Sequence, residues 1–188
     1  MGKTVHRFDP QRMSILISEE REARWKPREF LSRFHLPVDA RVADLGCGPG
    51  FWTMPLAEIV GAHGVVWALD VSQDMLDALQ ARHPPPQVRL MRTELPHIDL
   101  PDAATDFIFA AFVLHEVPDL AVMSKELLRI GGRVAVLEWR PDAVSEAGPP
   151  RPERLWSQYL LAVLKSAGFR RAQQIWQDDD NYLIEAEK

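Results

Sequence analysis

The residues with the clearest chemical potential are three glycines and the polar side chains that follow them at strand ends. In Arg41-Val42-Ala43-Asp44-Leu45-Gly46-Cys47-Gly48-Pro49-Gly50 an apolar run closes in alternating glycines, and an apolar segment of helical spacing, Phe51 to Val60, follows at once. Strand, tight turn and helix make a cradle for a nucleoside-bearing small molecule. Glycine accepts positive φ and lets a ligand approach the backbone, and the helix start offers unpaired N–H groups. The acid Asp70 ends the next apolar run about 20 residues beyond Gly50, the separation at which nucleotide folds place a ribose-binding carboxylate. A carboxylate accepts hydrogen bonds from both ribose hydroxyls. His115 closes the most apolar stretch of the chain. It titrates near neutrality, which makes it a candidate general base, with His6 and Asp9 behind it.

The elements that must position these groups alternate. Val65-Val66-Trp67-Ala68-Leu69-Asp70 and Asp106 to Leu114 read as buried parallel strands, and Val88 to Arg92 as a strand nearer an edge. A helix starts after Ser72 with Met75, Leu76 and Leu79 inward. Another runs from Asp119 to Ile130 with Leu120, Met123, Leu127 and Leu128 inward, and Gly131-Gly132 stops it. Leu155, Trp156, Tyr159, Leu160, Val163 and Leu164 mark one face of a last helix. Arg171 to Trp176 and Tyr182 to Ala186 read as a hairpin across Asp178-Asp179-Asp180-Asn181. Before the first strand, residues 1–18 carry few signals and read as a surface arm, and Glu19 to Phe34 as two short helices or one kinked at Pro27. Pro141 to Pro152, rich in Pro, is a loop and a candidate lid. The pattern predicts an open α/β sheet covered on both faces. One domain over 1–188 accounts for it: an N-terminal helical cap segment at 1–40, a core at 41–140, then lid loop, helix and terminal hairpin at 141–188.

The glycine spacing selects among ligands. A dinucleotide turn needs G-x-G-x-x-G, and Phe51 occupies the place of its third glycine, which disfavours an NAD enzyme. Asp44-x-Gly46-x-Gly48-x-Gly50 followed by Asp70 resembles instead the first motif of the class I S-adenosylmethionine-dependent methyltransferases. Asp70-Val71-Ser72-x-x-Met75-Leu76 is similar to that family's second motif. Leu127-Leu128-Arg129-Ile130-Gly131-Gly132 through Trp139 is similar to its helix, Lys-Pro-Gly-Gly turn and fifth strand, with Arg129-Ile130 in place of Lys-Pro. The overall pattern looks most like the small-molecule enzymes related to ubiquinone and menaquinone biosynthesis.

The resemblance implies a three-layer, Rossmann-like sheet of seven mostly parallel strands with an antiparallel C-terminal hairpin. It implies S-adenosyl-L-methionine as cofactor, with the turn from Asp44 through Gly46, Cys47, Gly48 and Gly50 passing its methionine part and Asp70 on the ribose. Val71 and Met75 then lie near the adenine, as do Glu94 and Leu95. There the chain departs from the family's Gly-Asp-Ala, since Thr93 replaces Gly and Glu94 replaces Asp. His115 falls at the floor of the methyl-transfer pocket, and Glu138 and Trp139 fall within reach of substrate. Methyl transfer from a sulfonium is an in-line displacement on an already activated carbon, so no protein nucleophile is required. The alternative reading is a domain that binds this cofactor without catalysing transfer.

Charge and composition narrow the partners. A net charge of −5 with no basic run argues against nucleic acid, and no Asn-Pro-Pro-Tyr-like motif is present. No run approaches a membrane span and no secretory signal is visible, which points to a cytoplasmic protein. The single cysteine, Cys47, excludes a Cys-rich metal site, and no metal is expected. A small-molecule acceptor is the partner class that remains; its identity and the oligomeric state are not written in these patterns.

Overall fold

The computed structural model describes residues 8–188. His6 lies outside them. The described residues group into two compact units, Phe8–Glu94 and Leu95–Lys188.

The first unit is a parallel three-stranded segment with its helices. Strand β1 (Arg41–Leu45) pairs β2 (Val65–Asp70), which pairs β3 (Val88–Arg92), all parallel. Parallel neighbours need a crossover, supplied here by helices α3 (Thr53–Val60) and α4 (Gln73–Ala81). Ser72 caps α4 by accepting from the Met75 N–H, and Met75, Leu76 and Leu79 are buried as expected. Helix α3 begins two residues later than the apolar spacing suggests. Phe51 and Trp52 still belong to the turn and bury their rings there. Pro27 resolves the preceding segment into two helices, α1 (Glu19–Trp25) and α2 (Pro27–Ser32), hinged at the left-handed Lys26. Pro10–Ile17 forms a 3-10 helix, capped by the Asp9 carboxylate.

The second unit joins β4 (Phe107–Ala111) to β5 (Arg133–Trp139) in parallel through α5 (Leu120–Ile130). Helix α6 (Ser157–Ala167) leads into the hairpin of β6 (Arg171–Gln177) and β7 (Asn181–Glu187), and β7 runs antiparallel between β5 and β6. The Asp178 carboxylate accepts from the Asp180 and Asn181 N–H groups, which sets the hairpin turn. Every residue of β4 is buried, as are the five inner residues of β5, the mark of strands covered on both faces. Strand β4 ends at Ala111, short of the expected Leu114, because Phe112 turns into left-handed backbone (φ 60) and a short 3-10 turn, Leu114–Glu116, follows. Trp156 and Tyr159 do not join the inner face of α6 and are 49% and 53% exposed. Trp156 is the N-cap, in extended conformation outside the helical stripe.

The seven strands together make a mostly parallel α/β sheet of Rossmann-like type, flanked by helices and closed by an antiparallel hairpin. Among the described residues no helix is long and apolar enough to cross a membrane.

Candidate functional site

The turn after β1 is a cradle built from backbone. Gly46, Gly48 and Gly50 all take positive φ (64, 52 and 87°), a conformation that side-chain-bearing residues enter at a cost. The Cys47 N–H donates to the Leu69 carbonyl and the Gly50 N–H to the Cys47 carbonyl, 3.0 Å each, so the turn is tied to β2 and to itself. Arg82, at the end of α4, donates to the Pro49 carbonyl at 2.7 Å. A β-carbon on Gly50 would stand 2.3 Å from Leu79 Cδ1. Gly50→Ala is therefore expected to lower stability by about 1–3 kcal/mol in urea unfolding, chiefly through the backbone. An unchanged midpoint would show that the turn does not need the left-handed geometry.

Asp70 stands at the carboxyl end of β2, and its two oxygens are shared between two turns. Oδ2 accepts from the Gly48 N–H at 2.8 Å and Oδ1 from the Ser72 N–H at 2.9 Å. Burial raises its pKa, against the lowering effect of the Ser72, Gly48 and Val71 N–H groups. Each oxygen keeps acceptor capacity for a further donor. Asp44 stands differently. Its carboxyl is buried beneath the turn and accepts from the Thr53 hydroxyl at 2.6 Å, which links β1 to the first turn of α3. Burial pushes its pKa up to about 7, opposed by the Thr53 bond and aided by the charge of Asp70. Burial, then Asp44 and Asp70, likewise raise the Cys47 thiol, so it rests as an inert thiol.

The residues expected near an adenine are uneven. Met75 is buried and Val71 half-buried beside Asp70. The Thr93 N–H donates to the Asp70 carbonyl at 2.8 Å, which sets Glu94, exposed, one residue beyond this strand-end contact. Asp44, Gly46, Cys47, Gly48, Gly50, Asp70, Val71, Met75 and Glu94 thus belong to the first unit. Leu95, half-buried, opens the second, which also holds His115.

His115 is buried in the 3-10 turn after β4, and Glu138 near the end of β5 holds it twice. The Glu138 carboxylate accepts the His115 backbone N–H at 3.2 Å and lies 2.9 Å (Oε2) and 3.1 Å (Oε1) from Nδ1. The Nε2 side has Glu116 at 3.9 Å. Burial lowers the His115 pKa, but attraction to Glu138, the bond to it, and the charges of Glu116 and Glu153 prevail, and the net shift is upward from 6.5. A raised folded value stabilises the protein fully below 6.5, and that contribution is lost as pH rises through the folded value. Stability of the wild type relative to Glu138→Gln should therefore shrink as pH is raised across that window. A difference that stays constant with pH would contradict the coupling.

Beside this pair the structure sets an aromatic wall. Phe112 and Trp139, both half-buried, stand at the carboxyl ends of β4 and β5 with ring centroids 5.0 Å apart and a 38° tilt. The Gly148 backbone (φ 90) packs on Trp139 so closely that a β-carbon would lie 2.6 Å from the ring. Buried Arg154 holds the stretch expected as a lid, donating to the Pro149, Arg140 and Ala147 carbonyls while lying over Trp139 at 5.6 Å. Thr53, Arg82, Phe112 and Arg154 escape sequence reasoning, since each acts through a partner remote in the chain or through backbone geometry. Glu138 carried a signal as a carboxylate at a strand end, but its pairing with His115 did not.

Comparison with known proteins gives a consistent result. A family model described as a methyltransferase domain matches residues 42–132. A demethylmenaquinone methyltransferase of Geobacillus sp. is 33% identical over 133 residues, covering 68% of this chain and 56% of the relative. One from Lactiplantibacillus plantarum is 31% identical over 164 residues, covering 84% of this chain and 67% of the relative. The chain thus spans between about half and two thirds of these relatives. The crystal structure of a SAM-dependent methyltransferase from Aquifex aeolicus superposes with a TM-score of 0.87 at 28% identity, covering 96% of this chain and 98% of that one.

Proposed function

The chain belongs to the class I S-adenosylmethionine-dependent methyltransferases related to the enzymes of menaquinone biosynthesis, and we propose that it transfers the cofactor's sulfonium methyl to a small-molecule acceptor. The observation that carries this reading is the Asp70 carboxylate bridging Gly48 and Ser72 at the mouth of a positive-φ glycine turn. That arrangement suits a ribose diol on Asp70 with the rest of the molecule against bare backbone. Gly46, Cys47, Gly48 and Gly50 supply the floor, Val71, Met75, Glu94 and Leu95 the adenine surroundings, and Asp44 with Thr53 the support beneath. When bound, S-adenosylmethionine supplies a methyl group on positive sulfur, already activated for displacement.

The acceptor we propose is a planar hydroxylated ring of the demethylmenaquinone type. The half-buried aromatic pair Phe112 and Trp139 supports such a ring by apolar and edge contact. Carbon methylation of such a ring requires loss of a proton from the acceptor. His115 is suited to take it at Nε2 while Glu138 holds Nδ1 and stabilises the imidazolium that forms. The acidic net charge fits a neutral or cationic acceptor better than nucleic acid, and the cytosol is the compartment proposed. Transfer of labelled methyl from S-adenosylmethionine to a demethylated naphthoquinol tests this reading. Labelled product is expected. Cofactor binding with no transfer to that quinol or to any metabolite extract would return the chain to a non-catalytic cofactor-binding role.

A further inference from the structure

Arg21 lies on α1, outside the motifs that define the cradle, yet its guanidinium carbon is 4.8 Å from the centroid of the Phe51 ring, the residue directly after Gly50. Phe51 packs edge-on to Trp52 at 4.9 Å. Trp52 in turn meets Trp25 at 5.9 Å and Phe30 at 5.4 Å, and Trp25 meets Phe30 at 5.3 Å. Arg21 and Trp25 are four residues apart on a helix and share a face. The aromatic cluster thus pins α1 to the start of α3 and fixes a cation against the far end of the glycine turn. Burial, and after it the charge of Arg24, pull the Arg21 pKa down to about 10. A cation under such desolvation is favoured by an approaching anion.

The cofactor brings one. With its ribose on Asp70 and its adenine toward Val71 and Met75, the molecule's other end must run across the glycine turn toward Phe51. That end is an amino acid, with a carboxylate that matches the planar fork of a guanidinium. We propose that Arg21 binds the α-carboxylate of the cofactor's methionine part, so that α1 forms a wall of the cofactor site and selects ligands that carry this group. The inference rests on the cofactor reading above.

The test compares S-adenosylhomocysteine with 5′-methylthioadenosine, which keeps the nucleoside and sulfur but lacks the amino-acid end, by calorimetry on the wild type and on Arg21→Gln. Wild type should bind S-adenosylhomocysteine more tightly. Arg21→Gln should lose about 10- to 100-fold for it, as for removal of a charge-assisted pair, and less than about twofold for methylthioadenosine. Equal losses for both ligands would make Arg21 a support of the aromatic cluster and overturn the proposal, as would no loss for either. Should Arg21→Gln not fold, Arg21→Lys decides with the same two ligands: it keeps charge but not the fork, so selective loss supports the assignment and a uniform change refutes it. Wild type that binds neither ligand would remove the cofactor reading itself, and this inference with it.

Discussion

Replacing Asp70 by alanine is expected to weaken binding of S-adenosylhomocysteine by about ten- to a hundredfold while the protein stays folded. The loss has two sources. The ribose hydroxyls lose a charged acceptor, and the Gly48 and Ser72 N–H groups lose the carboxylate that holds their turns in register. Losing those two bonds costs stability, and burial of the acid, which raises the Asp70 pKa, offsets part of that cost. Asp70→Asn is expected to fail almost as badly. An amide offers a single acceptor oxygen, and its NH2 must face one of two backbone donors. Calorimetry on both variants checks this, and unchanged affinity in a folded Asp70→Ala would take the ribose role from this residue.

The second large effect is on turnover. His115→Ala should lower kcat by about 10²–10⁴, the usual worth of a positioned general base, with cofactor affinity within about twofold of wild type. The wild type should gain activity as pH rises through an apparent pKa above 6.5, since the base must shed the proton that Glu138, Glu116 and Glu153 favour. Glu138→Gln should move that pKa downward, because burial, which lowers the His115 pKa, then acts against weaker attraction. A histidine with a merely structural role would leave the pH profile where it was, and full activity in His115→Ala would give it that role.

Much of this was legible from local pattern. Val65–Asp70, Ser72 with Met75, Leu76 and Leu79, and the Asp178-to-Asn181 turn announce strand, capped helix and hairpin through periodicity and turn chemistry, which act within a few residues. The glycine turn was legible for the same reason. What escaped depends on contacts between remote residues. Nothing in the chain links Thr53 to Asp44 or His115 to Glu138. The 3-10 helix at Pro10–Ile17 buries none of its residues, and its apolar Met13, Ile15, Leu16 and Ile17 do not mark an inner face. Trp156 fits the helical spacing of α6 but sits at its cap, where that spacing no longer applies. Pro141 to Pro152 reads as a loop, but its tether to Arg154 rests on three carbonyls that sequence leaves unmarked.

The central claim is that Asp44 through Gly50, with Asp70, is a cradle for a sulfonium nucleoside rather than a dinucleotide. Titration calorimetry of the wild-type chain with S-adenosylmethionine, S-adenosylhomocysteine and NAD tests it directly. The two sulfur ligands are expected to bind with NAD giving no signal; NAD binding with no response to either sulfur ligand would contradict the account.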